Sequence, residues 1–168
     1  MKRTLIARVA DKPGVLNRVA SLFRRRAFNI ESLTVGHTEA PGISRMTIVV
    51  DSSRTDAEKV AQNLEKLVDV ISVEDISDRA AVMRDLALIK VRTPDPRTRS
   101  ELMQLVDTFR ARVVDVGLES LIVEATGTEE KIDGLVEVLR PFGILEMVRT
   151  GRVAMVRGNN GTKQGGNE

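Results

Sequence analysis

The sequence of 168 residues holds no cysteine, tryptophan or tyrosine, one histidine and four phenylalanines. Without cysteine there can be no disulfide, thiolate metal site or thiol nucleophile, a usage that fits a cytoplasmic protein. The single imidazole, His37, reads as a satisfied surface or loop histidine, and no cluster of groups suited to acid–base or nucleophilic catalysis or to metal binding stands out. Scarce aromatics leave little on which to stack nucleobases, and 26 basic against 24 acidic residues give a net charge of only +2. Nucleic acid is therefore not an expected partner. No apolar run approaches the roughly 20 residues of a membrane helix. Met1-Lys2-Arg3 leads into a short strand with charge returning at Arg8, too brief a stretch for a signal peptide. The expectation is a cytoplasmic protein that is not an enzyme by itself, with no catalytic residues, no metal and no membrane contact.

What is present is patterned. Thr4 to Ala10 alternates as a strand, and Asp11-Lys12-Pro13-Gly14 makes a turn into a helix from Val15 that buries Val15, Leu16, Val19, Ala20, Phe23 and Ala27. Arg24, Arg25 and Arg26 close that helix, either as a solvated last turn or as a docking patch for an acidic partner. Ile30–Glu39 and Ile43–Asp51 read as a hairpin about Ala40-Pro41-Gly42. Thr55 to Glu58 is a capping-box pattern opening a second helix, and Val70–Ile76 is a strand. The order is β-α-β-β-α-β, a ferredoxin-like arrangement.

The order then repeats. Asp85–Thr93 is a strand and Pro94-Asp95-Pro96 a turn. Thr98 to Glu101 is a second capping box before a helix with Leu102, Leu105, Val106 and Phe109. A hairpin, Arg112–Val116 with Leu121–Ala125, precedes a helix stopped by Pro141 and Gly143, then Ile144–Val148 and an edge strand at Val153–Val156. The expected class is α+β, two tandem ferredoxin-like domains at 1–77 and 85–158. A linker at 78–84 joins them, and a Gly/Asn-rich disordered tail follows at 159–168. The second copy has no glycine at its first strand-to-helix turn.

The first turn carries chemistry. A helix N-terminus offers unpaired N–H groups and partial positive charge, and a glycine there admits a ligand to the amides. Asp11 sets a carboxylate beside the same spot, suited to an ammonium. An α-amino acid carries both charges at that separation. Asn29, where the chain leaves the helix, could take one end of the zwitterion or serve as a left-handed helix C-terminal residue.

Asp11 to Leu16 in this element order resembles the ACT domain, an amino-acid-sensing module. The longer match runs through Phe28–Val35, Ser44–Val50, Leu86–Val91 and Glu124–Gly127. Across Lys2 to Gly158 it is similar to the small regulatory subunits of acetohydroxyacid (acetolactate) synthase. The resemblance implies a non-catalytic subunit that forms a homodimer through paired ACT domains. It implies valine as effector, with leucine and isoleucine as the other candidates. Gly14, Val15 and Leu16 would meet the carboxylate, Asp11 the ammonium, and Asn29 and Ile30 would close the pocket from across the dimer. The partner would be the large catalytic subunit, which holds thiamine diphosphate, magnesium and FAD; this chain would hold no cofactor. A free-standing ACT-type sensor of a transcriptional or transport partner is the alternative.

Overall fold

The computed structural model describes residues 1–158, which group into two compact units: 1–82 with the segment from Arg152 onward, and 83–151. The Gly/Asn-rich tail expected at 159–168 lies outside the described residues.

The first unit is built from β1 (Lys2–Ala10), α1 (Val15–Arg25), β2 (Ile30–His37), β3 (Ile43–Asp51), α2 (Ala57–Glu65) and β4 (Val70–Asp75), with sheet order β2-β3-β1-β4. All its pairings are antiparallel, so β1 and β2 run the same way on either side of β3. Alternation in β1 places Leu5, Ala7 and Val9 in the helix-covered core, with Met46, Ile48 and Val50 from β3. Helix α1 adds Val15, Val19, Leu22 and Phe23, a stripe at helical spacing. Each large aliphatic side chain buried there contributes about 1.5–3 kcal/mol.

Helix α1 ends in a Schellman motif. Ala27 takes a positive φ of 53°, its N–H donates to Arg24 C=O, and Phe28 N–H donates to Phe23 C=O at 3.0 Å. The rings of Phe23 and Phe28, 6.5 Å apart, supply the apolar contact that accompanies this motif. The left-handed residue is thus Ala27, and Asn29 has another role.

Both capping boxes are displaced from where the sequence puts them. Asp56, not Thr55, caps α2, its carboxylate accepting from the amides of Glu58 and Lys59. Thr55 is buried and its Oγ1 accepts from Asn29 N–H at 2.9 Å. In the second unit Asp95, not Thr98, caps α3 (Pro96–Thr108) by accepting from Thr98 N–H at 2.8 Å, and Pro96 stands at the first helical position. In each case an aspartate carboxylate, not the threonine hydroxyl, accepts from the amides that open the helix.

The second unit repeats the topology with β5 (Ala81–Arg92), α3, β6 (Arg112–Val116), β7 (Ser120–Gly127), α4 (Glu129–Leu139) and β8 (Ile144–Arg149), in sheet order β6-β7-β5-β8. Strand β5 begins four residues ahead of the expected Asp85, inside the stretch 78–84. The core holds Ala87, Ile89 and Val91 from β5, Leu121, Val123 and Ala125 from β7, and apolar residues of α3 and α4. No helix of the described residues is long and apolar enough to cross a membrane.

The last strand, β9 (Val153–Val156), pairs with β5, whose first residues, Ala81 and Val82, group with the first unit. The segment is fastened to the sheet face away from α1 and α2. Arg152 Nη1 donates to Thr4 Oγ1 at 3.0 Å and Thr34 Oγ1 to Arg152 C=O at 3.3 Å. Arg45 Nη2 donates to Ala154 C=O at 2.5 Å, and Arg157 N–H to Ala80 C=O at 2.8 Å. That face is dry: Thr4, Ile6, Thr47 and Val49 are all buried.

Candidate functional site

The turn from β1 into α1 sets an uncapped helix start beside an exposed carboxylate. Gly14 is the N-cap of α1 at φ 86°, ψ −7°, and no side chain caps the helix. Val15 N–H makes only a long bond, to Lys12 C=O at 3.4 Å, and the first turn keeps the partial positive charge of an uncapped helix start. A Cβ on Gly14 would meet nothing nearer than an Arg18 nitrogen at 3.9 Å. Glycine is thus favoured by the left-handed backbone rather than by crowding. Val15 is buried and anchors the helix start, whereas Leu16 is 50% exposed and offers apolar surface beside the open amides. Asp11 is exposed, and its N–H donates to Gly42 C=O at 2.9 Å, tying this turn to the β2–β3 hairpin.

His37, at the end of β2, places Nδ1 3.3 Å from Asp11 Oδ2. It is a surface histidine, as its sequence context suggests, but it stands against the carboxylate of the turn. Local sequence gives no sign of this, since only the pairing of β2 with β3 and of β3 with β1 brings 37 to 11.

Asn29 and Ile30 are not brought to this turn within one chain. Ile30 opens β2 opposite Val50, at the far end of the strand from His37. Seven strand steps separate the two ends, roughly 23 Å. Asn29 is exposed, with its N–H held by Thr55, and Ile30 packs against the edge of the first core. Asp11, Gly14, Val15 and Leu16 thus form one cluster, and Asn29 with Ile30 a second, on opposite ends of β2. Strand β2 is an edge of its sheet. Among the described residues no three His, Asp or Glu form a group that could hold a metal ion.

Comparison with known proteins decides the family. Residues 5–72 match the model of the AHAS small subunit-like ACT domain, and 84–158 the model of the small subunit of acetolactate synthase. The acetolactate synthase small subunit of Mycobacterium leprae is 53% identical over 158 residues, 94% of this chain and 93% of that one. The chain belongs to the acetolactate synthase small-subunit family. The Bacillus subtilis small subunit is 47% identical over 159 residues, 94% of this chain and 92% of its own. A crystal structure of the Thermotoga maritima acetolactate synthase small subunit superposes with a TM-score of 0.86 at 39% identity, covering 95% of this chain and 99% of that one. Membership in this family makes the first unit an ACT domain in the α+β, ferredoxin-like class, and makes association with a large catalytic subunit part of what the chain is.

Proposed function

We propose that the chain activates the thiamine-diphosphate-dependent large subunit of acetolactate synthase and makes it sensitive to valine. The observation that carries this is the uncapped start of α1 at Gly14 beside the exposed carboxylate of Asp11. A valine carboxylate accepts from the amides of Gly14, Val15 and Leu16, its ammonium donates to Asp11, and its isopropyl group lies on exposed Leu16.

Homodimerisation completes the pocket. Pairing β2 with β2 of a second copy about a two-fold axis is necessarily antiparallel. Asn29 and Ile30 of one copy then come alongside the His37 end of the other, where Asp11 and Gly14 sit. The edge position of β2 and the 23 Å gap within one chain (roughly, from strand geometry) both support this arrangement. Effector binding changes the catalytic partner only so far as it favours one arrangement of the paired domains, typically by about 1–3 kcal/mol, or roughly 5- to 150-fold. Thiamine diphosphate, magnesium and FAD belong to the large subunit, which condenses two pyruvates to acetolactate.

The test is to assay acetolactate formation by the large subunit alone, with this chain, and with this chain plus valine. A rise in rate on adding the chain, reversed in part by valine, is expected. An unchanged rate with no valine response overturns the reading.

A further inference from the structure

We propose that Arg24, Arg25, Arg26 and Arg54 form the surface that docks a carboxylate-bearing face of the catalytic large subunit, a proposal that rests on the regulatory reading above. All four are exposed, and among the described residues none of their guanidinium groups has a hydrogen-bond or ion-pair partner. They share one end of the first unit. Arg24 and Arg25 close α1 and Arg26 caps it; Arg54 lies in the turn after β3, whose Val50 pairs with Ile30. Asn29 N–H, bonded to Thr55 Oγ1 at 2.9 Å, holds the two segments together.

Other arginines of this unit mostly have partners: Arg3 pairs with Asp75 and Asp78, Arg18 with Asp69 and Arg79 with Glu74. Arg45 and Arg152 donate to Ala154 C=O and Thr4 Oγ1, whereas Arg8 stands opposite Arg45. Three of the carboxylates at the basic end are engaged by other groups, while Glu31 beside Ile30 is exposed. Asp51 accepts from Ser53 and the N-terminus, Asp56 caps α2, and Glu58 accepts from Gln62. The helix dipole favours cations in the last turn of α1 but has no hold on Arg54 in its separate turn. Four like charges gathered at one end of the unit raise the local positive potential, which a partner's carboxylates would offset. Guanidinium forks match carboxylates bidentately, and arginine is enriched at protein interfaces. A net charge of +2 does not suit a polyanion such as nucleic acid.

The location also links to the effector. Asn29, which closes the valine pocket of the other copy in the proposed dimer, is three residues from Arg26 and hydrogen-bonded to the residue after Arg54. A catalytic subunit seated on these arginines therefore sits beside the one segment that the effector touches from across the two-fold.

The experiment measures association of the full-length chain with its large subunit as ionic strength rises, for wild type, for R24Q/R25Q/R26Q/R54Q and for the fourfold Arg→Lys variant. Calorimetry with valine and the dimer mass accompany each. Exposed charge pairs act mainly on encounter and its salt dependence, so the Gln variant is expected to bind roughly tenfold more weakly, with a flattened salt response. The Lys variant should keep most of both, and all three chains should stay dimeric and bind valine. If the Gln variant binds with wild-type affinity and salt dependence, the docking surface lies elsewhere while the regulatory reading stands. If it turns monomeric, the arginines belong to the copy–copy contact and the proposal is wrong. If wild type itself shows no association, the regulatory reading fails and takes the proposal with it.

Discussion

Gly14 and Ala27 bracket α1, and both hold positive φ, at 86° and 53°. At Gly14 the backbone admits glycine freely and a few polar residues at modest cost, aspartate among them. Gly14→Asp therefore keeps the turn but puts a carboxylate where the ligand's own carboxylate must go. Titration calorimetry on this variant should register no heat with valine, while activation of the large subunit persists; retained binding would place the pocket elsewhere. Ala27 is the opposite case, a side chain in a conformation that suits glycine, tolerated because the Schellman hydrogen bonds and the Phe23–Phe28 contact fix it. Ala27→Gly should raise stability by about 0.5–1 kcal/mol, once relief of left-handed strain is set against the extra freedom of glycine in the unfolded chain. Thermal melting reads the gain, and an unchanged or lower midpoint would contradict it.

At the level of elements, cross-strand charge decides how the second sheet is pinned to its helix. Arg149 on β8 donates to Asp85 on β5 at 3.2 Å and to Asp133 on α4 at 2.6 Å. Burial pulls its guanidinium pKa down, but the two carboxylates outweigh that and the net direction is up. Asp85 is 6% exposed, so Arg149→Ala strands a buried carboxylate. Loss of one partner from a buried pair costs about 3–5 kcal/mol. Arg149→Ala should lose about 3 kcal/mol in urea unfolding, and R149A/D85N should recover part of it; equal stability of the two variants would show that the pair is not the cause. The first unit's elements report on acid instead. Asp51 is held at about 2 by the amide and hydroxyl of Ser53, then by the N-terminus. Burial raises Asp75, but Ser77 and Arg3 together bring it below the usual value. Folded values below unfolded ones mean stability that is full above the unfolded carboxylate range and is lost as protons bind to the folded state. Unfolding free energy should thus fall as pH drops from about 4 toward about 2, and the fall should shrink in Ser53→Ala.

Across the whole molecule, what was legible in the sequence is what is local. Periods of two and of 3.6 residues locate the two β-α-β-β-α-β runs, and Asp11 to Gly14 shows its chemistry in four consecutive residues. The capping-box pattern lies one residue from the true cap at Asp56 and three from that at Asp95, because an aspartate that also suits a cap stands within one turn of each threonine. His37 against Asp11 was out of reach because strand register, not sequence distance, joins them. The segment from Arg152 is the extreme instance: Val153–Val156 reads as an edge strand, but nothing local says which sheet face it crosses. Its bonds run to Thr4, Thr34 and Arg45, on three different strands of the first sheet and more than a hundred positions away. Burial pulls the Arg45 guanidinium pKa down, and Arg8 directly opposite adds to this. Arg45 stays bonded to Ala154 C=O nonetheless, so losing the segment leaves two facing cations with one fewer acceptor and uncovers a dry face. A chain ending at Gly151 gives up three side-chain hydrogen bonds worth about 1 kcal/mol each, plus apolar cover. It should be about 3–5 kcal/mol less stable, with amide exchange accelerated at Ile6, Thr47 and Val49 and unchanged at Ile89 and Val123 in the second core. Equal protection at both sets of amides would show that the first sheet stands without its cover.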